Sequence, residues 1–272
     1  MTAPRVVSRA AALAGMTVAL TAGAVAGQEE PFRWSGALAP GQVVEVKGIM
    51  GTIMAEPATG GTAEVVAEKR GRSTDFGEVE IRVVEAPDGV TICAVYHPED
   101  YDSEDCDLDD RRRDRDWNDS RDTRVDVDFT VKVPEGVELI ATVVTGDVEA
   151  RGLRSDVVAH SVSGDVAVST SGVVEAGTVS GSVDVEMGSL DWTRLSFNTV
   201  SGDITLRLPE GLGAEVEFES LSGDLDTDFD LRVEGRRDRR WVGSRVEGTI
   251  GAGGRELAFH TVSGSVRLLR AR

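Results

Sequence analysis

The stretch Val162-Ser163-Gly164-Asp165-Val166 decides the fold, because close copies of it return along the second half of the chain. Neighbouring copies there have central glycines 16 to 25 residues apart, and a weaker copy lies near the amino terminus. A fixed phrase at this spacing predicts stacked repeats, in which the phrase builds the repeat and does not form a catalytic site. The central glycines, to which we assign a corner role, are Gly51, Gly146, Gly164, Gly181, Gly202, Gly223, Gly248 and Gly264.

Apolar residues alternate with polar ones on both sides of each phrase, as at Leu195 and Phe197 before it and Ile204 and Leu206 after it. A period of two predicts strands, and the alternation slips by one at the phrase, which predicts a corner where glycine accepts positive φ. We therefore predict an all-β solenoid of repeats of about 20 residues. The residues predicted to lie inside are Val162, Val166, Val179, Val183, Val200, Ile204, Phe197, Phe218 and Phe259.

An aspartate follows the glycine in several copies. Stacking would place these aspartates about 4.8 Å apart in a column. A cation bound by the column is the alternative, but calcium-binding solenoids use a denser Gly-Gly-x-Gly-x-Asp repeat that this sequence lacks. We predict a structural role for the column, whose members are Asp147, Asp165, Asp203 and Asp224.

Residues 1–26 have the features of a signal peptide: Arg5 and Arg9 precede an apolar run over 10–25, and Ala24 and Ala26 fit the cleavage rule. No later stretch is long and apolar enough for a membrane helix. Removing two arginines and no acid changes the net charge from −19 to −21. The signal peptide predicts an exported protein, periplasmic, surface-exposed or secreted, with no membrane span after cleavage. Such an acidic chain repels nucleic acid, so we predict no nucleic-acid partner.

Residues 27–138 form a second, strand-rich region, which precedes the repeats of 139–272. The clearest strand covers 125–133, where Val125, Phe129 and Val133 belong to one apolar face. Residues 97–124 interrupt the region with acids followed by arginines, and this composition predicts a mobile loop. Calcium binding by its acidic half is less favoured, because the spacing of an EF-hand loop is missing.

Cys93 and Cys106 are the only cysteines. A cysteine pair in an exported chain favours a disulfide, with two free thiols as the alternative.

The repeat phrase, the opener Ile49-Met50-Gly51-Thr52-Ile53, the bridge over 131–136 and the closing glycines at 251–254 together resemble the DUF4097 family. These are exported bacterial β-strand-repeat proteins, also labelled adhesins by analogy of fold. The resemblance covers about 40–272 and implies a β-solenoid or β-helix-like fold. It supplies no active site to transfer.

No sequence motif for a nucleophile, a phosphate loop or a zinc protease occurs, and His97, His160 and His260 are scattered. We predict no catalytic residue, no cofactor and no metal ligand. The sequence favours a non-enzymatic, adhesin-like protein that binds an envelope or extracellular partner. One alternative is a periplasmic accessory in envelope sensing. A less favoured alternative is a polysaccharide-active β-helix enzyme with clustered carboxylates.

Overall fold

A computed structural model describes residues 30–98, 106, 124–233 and 243–271. The predicted signal peptide and most of the charged loop lie outside the described residues, so the expectations for both stay predictions. The described ranges contain twenty-one strands, one short 3-10 helix (η1, Ser73–Glu78) and no α-helix. Within these ranges no helix is long and apolar enough to cross a membrane. The all-β prediction is confirmed.

The strands divide between two large sheets. In chain order they are β1 (Phe32–Ala37), β2 (Val43–Met50), β3 (Ile53–Pro57), β4 (Thr62–Gly71), β5 (Val79–Ala86), β6 (Gly89–Tyr96), β7 (Val125–Val133), β8 (Glu138–Thr145), β9 (Val148–Leu153), β10 (Val157–Ser163), β11 (Val166–Thr170), β12 (Val174–Ser180), β13 (Val183–Met187), β14 (Arg194–Ser201), β15 (Ile204–Leu208), β16 (Ala214–Ser222), β17 (Leu225–Thr227), β18 (Leu231–Val233), β19 (Ser244–Ile250), β20 (Glu256–Ser263) and β21 (Val266–Arg270).

Each repeat gives one strand to each sheet. The ten-stranded sheet has the order β1-β4-β7-β3-β9-β11-β13-β15-β21-β17, and the eleven-stranded sheet has the order β18-β19-β16-β20-β14-β12-β10-β8-β2-β6-β5. The middle of both sheets is parallel and in register, as when Val157 pairs with Val174. Antiparallel strands occur at the ends: β1 and β4 on one sheet, β5, β18 and β19 on the other. The result is a two-sheeted β-solenoid with antiparallel ends.

The core lies between the sheets and is built from the alternating apolar residues of both. In β7 the predicted inward residues Val125, Phe129 and Val133 are buried, and Val127 and Val131 on the same face are buried with them. Phe197 and Phe259 stack in neighbouring coils with ring centroids 5.9 Å apart. Phe218 in β16 is buried as predicted. Val166, Val183 and Ile204, which follow their repeat glycines, are also buried, so the second strands of these repeats face as expected.

The repeat glycines form a column in which each glycine lies directly against the next coil. A Cβ on Gly202 would be 2.5 Å from the carbonyl carbon of Gly181 and closer still to its oxygen. Gly202 also has a φ of 146°. Gly264 does not share this left-handed φ, yet a Cβ there would be 2.7 Å from the carbonyl carbon of Gly202. Close stacking is therefore the common reason for glycine at these corners, and positive φ is a second reason at some of them.

The first apolar residue of the repeat phrase is outside, contrary to the prediction for Val162, Val179 and Val200. Each of these side chains is 47% exposed. In β14 the alternation that buries Leu195 and Phe197 continues to Thr199 and leaves Val200 in solvent. The change of parity comes after the valine, because the inward hydroxyl of the preceding residue is needed at the corner.

The prediction of a corner at Gly248 is also wrong. Gly248 lies within β19, whose alternation from Val246 to Ile250 continues without a slip. A Cβ on Gly248 would be 2.7 Å from the carbonyl oxygen of Arg232 in the neighbouring strand. An unbroken antiparallel pairing with β16 and β18 thus explains this glycine.

The last repeat does not stack in chain order. β20 lies between β14 and β16, and β21 lies between β15 and β17. The carboxyl-terminal coil is thus inserted between the two coils that precede it in sequence. Each of its strands gains a hydrogen-bonded neighbour on both sides, which shields the end of the chain from solvent.

Both sheets run across residue 138, where the sequence predicts a domain boundary. β2 pairs with β8 in one sheet, and β3 pairs with β9 in the other. The strand-rich region and the repeats thus share ladders and one apolar core. The division of the mature chain into 27–138 and 139–272 stays a prediction.

We expect Gly202→Ala to lower the melting temperature by at least about 4 °C, since a loss of about 2 kcal/mol has this effect in a chain of this size. The added methyl would collide with the Gly181 carbonyl in a backbone conformation that disfavours side chains. Gly61→Ala is the matched control, because a Cβ on Gly61 would meet only the Leu38 carbonyl oxygen, at an ordinary contact distance of 4.0 Å. Equal melting temperatures for the two variants, measured by circular dichroism, would contradict the stacking argument.

Candidate interaction surface

Inward hydroxyl groups hold the corner together from within. Ser161 Oγ donates to the Gly146 carbonyl at 2.9 Å, Thr178 Oγ1 donates to Gly164 at 3.0 Å, and Thr199 Oγ1 donates to Gly181 at 3.1 Å. The hydroxyl of one coil thus satisfies the corner carbonyl of its neighbour. A buried carbonyl without such a partner would destabilise the fold.

The aspartate column holds the same corner from outside. Asp147 Oδ1 accepts a hydrogen bond from the Asp165 amide at 2.8 Å, and Asp165 Oδ1 accepts one from the Ser182 amide at 2.7 Å. Asp203 Oδ1 repeats the contact with the Ser265 amide at 2.9 Å. One oxygen of each of these carboxylates is therefore bonded to the next coil. In the part of the chain that the structure describes, no group of three or more metal-ligating side chains is placed to hold an ion.

The corner exposes an unbroken row of aliphatic side chains on the eleven-stranded sheet. Strand register places one member on each of six adjacent strands, from β8 through β10, β12, β14 and β20 to β16. Their exposed fractions run from 42% to 55%. We call this the aliphatic row, and its members in spatial order are Val144, Val162, Val179, Val200, Val262 and Leu221.

The aliphatic row is flanked on its corner side by a row of exposed hydroxyls, one residue further along each strand. We call this the hydroxyl row, and its members are Thr145, Ser163, Ser180, Ser201, Ser263 and Ser222. The other flank consists of Thr142, His160, Gly177, Asn198, His260 and Glu219, two residues before the aliphatic row. Neither the aliphatic row nor the hydroxyl row contains an ionisable side chain. We call the aliphatic row and the hydroxyl row together the strip. On a chain with a net charge of −19, the lack of charge in the strip differs sharply from the average surface.

A second apolar cluster lies on the outer face of the eleven-stranded sheet, at its amino-terminal end. It consists of Cys93, Val95 and Cys106, with Val84 packed against it. Cys93 and Cys106 form a disulfide whose Cα atoms are 5.8 Å apart, and both residues are buried. On the other side of β6, Tyr96 donates to the Val125 carbonyl at 2.7 Å, and its burial raises the pKa of the hydroxyl well above the usual value.

A charged groove of about 810 Å³ lies at the opposite end of the same face, over β14, β16, β19 and β20. Arg245 contacts Glu217 at 2.9 Å, Glu219 at 2.6 Å and Glu247 at 2.7 Å. The hydrogen bond to Glu247 is the main cause that raises the pKa of Arg245. Arg194 pairs with Glu256 at 2.5 Å. Carboxylates therefore do cluster on one face, but the arginines bridge them.

The histidines and tryptophans that the structure describes do not converge on one site. His160 and His260 share a position in the repeat and are half-exposed, with His260 Nδ1 3.6 Å from Glu219. Trp34 donates to Glu85 at 3.1 Å at the edge of the molecule. Trp192 is buried, with the Arg255 guanidinium 5.8 Å from its ring centroid. His97 lies beyond β6, and Trp117 and Trp241 lie outside the described residues.

Sequence reasoning missed the aliphatic row, although its signal is present. An aliphatic residue occupies the second position before the glycine in every clear copy, whereas the slot two residues earlier varies freely. Counting the alternation forward from the buried phenylalanines would have placed this residue in solvent. The assumption that a regularly repeated valine must be buried produced the error.

The comparisons with known proteins support the family. The model described as Toastrack DUF4097 matches residues 118–269, more than half of the chain, so the chain belongs to this family. A candidate cell adhesion protein from Clostridium sporogenes is 11% identical, with 89% of this chain and 100% of that chain covered and a TM-score of 0.45. A candidate adhesin from Bacteroides fragilis is 11% identical, covers 88% and 97%, and has a TM-score of 0.32. We draw nothing about function from these two likenesses. No curated protein matches the chain.

We expect Thr178→Val to lower the free energy of unfolding by about 1 kcal/mol, because it leaves the Gly164 carbonyl without its hydroxyl partner. Thr261→Val is the matched control. The Thr261 hydroxyl is buried at the equivalent position and has no hydrogen-bond partner among the described residues. This control should be within about 0.5 kcal/mol of wild type, or more stable. Urea unfolding of both variants measures the difference, and equal losses would rule out a specific role for the corner bond.

Protein isolated under non-reducing conditions should show no reactive thiol when unfolded, and two after reduction, because Cys93 and Cys106 are joined. Reduction should lower the free energy of unfolding by about 2–3 kcal/mol, the loop-entropy value for the 13-residue separation. The variant with both cysteines replaced by alanine should be insensitive to reductant. Two reactive thiols before reduction would exclude the bond in solution.

Proposed function

We propose that this chain is an exported, non-enzymatic binding protein of the adhesin-like kind. Its β-solenoid presents a rigid face to a protein or envelope ligand, in the periplasm or at the cell surface. The single observation that carries the proposal is the aliphatic row, six adjacent half-exposed side chains on an otherwise acidic molecule. Contiguous apolar surface of this kind marks an interaction site on soluble proteins.

The rigidity of the corner supports binding. The members of the row lie beside stacked glycine corners, and inward hydroxyls and outward aspartates hold several of these corners in place. A surface held in this way loses little conformational freedom when a partner covers it, so more of the free energy of apolar burial is available for affinity.

Export is supported by two features of different kinds. The disulfide between Cys93 and Cys106 is typical of proteins outside the reducing cytoplasm. Residues 1–26 have the composition of a signal peptide. Cell fractionation, with and without protease added to intact cells, distinguishes the periplasm from the surface. Recovery in the cytoplasmic fraction alone would contradict export.

Two further functions remain as alternatives. A periplasmic accessory in envelope sensing would use the same row, and its location would separate it from a surface adhesin. A polysaccharide-active enzyme would instead use the carboxylates of the charged groove. Arg245 lies among three of these glutamates, and this ion pairing favours a structural role for them.

The row is tested with the double variant Val162→Asp/Val179→Asp. We expect its binding to envelope preparations of a strain lacking the protein to fall by at least about 10-fold, because a desolvated carboxylate opposes apolar contact. Met54→Asp/Ala167→Asp is the matched control. It adds the same charge on the outer face of the ten-stranded sheet, where Met54 is half-exposed. Equal binding by both variants, with unchanged melting temperatures, would show that the row is not the binding surface.

A further inference from the structure

We propose that the occupant of the aliphatic row is a second copy of this chain, packed row against row about a two-fold axis. The inference rests on the proposed function, in which the row is a contact surface. A two-fold contact uses the same patch on both subunits, so the patch must be complementary to itself. A straight row of like side chains meets this condition, since the ridges of one copy fit between those of the other.

The spacing of the row favours another β-stack as its partner. Adjacent members lie on hydrogen-bonded neighbouring strands, about 4.8 Å apart, and each side chain projects from the same place in its coil. A surface with a different spacing would lose register within a few residues. A second copy has the same spacing and the same twist along all six strands, so contact can continue from Val144 to Leu221.

The charge distribution also favours a second copy. The two rows of the strip are neutral, whereas the chain as a whole is strongly acidic. A basic partner would gain most of its free energy by binding the acidic surfaces away from the strip. The hydroxyl row can exchange hydrogen bonds with its counterpart in the other copy, because each hydroxyl both donates and accepts.

The size of the strip predicts a modest affinity. Six strands at about 4.8 Å and a width of about 15 Å, counting both flanks, give roughly 430 Å² per copy. Two strips therefore bury roughly 860 Å², an area typical of weak, transient contacts and smaller than that of a stable dimer. We expect a reversible dimer with a dissociation constant in the micromolar range.

Sedimentation equilibrium of the purified mature protein over about 1–500 μM brackets this range. The wild type should change from monomer to dimer, and Val179→Asp/Val200→Asp should weaken association by more than about 100-fold, because four carboxylates would meet near the two-fold axis. Met54→Asp/Ala167→Asp, which has the same net charge as the row variant, should dimerise like the wild type. Association should strengthen with added salt, which screens the repulsion between two acidic copies.

A second measurement tests the geometry directly. Val179→Cys lies near the centre of the row, so mild oxidation should join two copies through a disulfide at this residue. Met54→Cys on the opposite sheet, oxidised in the same way, should give no covalent dimer. Intact mass spectrometry without reductant distinguishes the two results. A wild type that is monomeric throughout the concentration range would overturn the inference. So would a dimer that the row variant leaves intact. If the wild type is monomeric but Val162→Asp/Val179→Asp loses envelope binding, the second copy is excluded and the proposed function stands. If that binding is also unchanged, both fail.

Discussion

The close contact between stacked glycine corners is the constraint on which the rest of this structure depends. Strands in register place each coil about 4.8 Å from the next. At the corner the backbone of one coil occupies the space where a side chain of its neighbour would begin, as at Gly202 against Gly181. Only glycine permits this approach, and the repeat phrase follows from it.

The corner also determines which side chains are available for function. Thr199 turns inward because the Gly181 carbonyl needs a donor, and Val200 must then face solvent. The same alternation, repeated from coil to coil, leaves six aliphatic side chains exposed in line. The same backbone geometry that stabilises the stack thus also exposes the aliphatic row.

The ends of the solenoid limit its growth. Antiparallel strands terminate both ends of the eleven-stranded sheet and the amino-terminal end of the ten-stranded sheet. The carboxyl-terminal coil is inserted inside the stack, away from its edge. The outermost strand of the ten-stranded sheet at that end, β17, has only three residues. Short edge strands offer little backbone for pairing with other chains. Contact with partners is therefore directed to side chains on the sheet face, where the aliphatic row lies.

The sequence by itself determined the strands, the corners and the family, because alternation and glycine spacing are local properties of the chain. It located the buried face of β7 and the buried Phe197, Phe218 and Phe259. It could not place Val200 or Gly248, since burial depends on where the parity changes and on which strand lies alongside. The insertion of the last coil, and the row that results, depend on contacts between residues far apart in sequence. Only the tertiary structure decides those contacts.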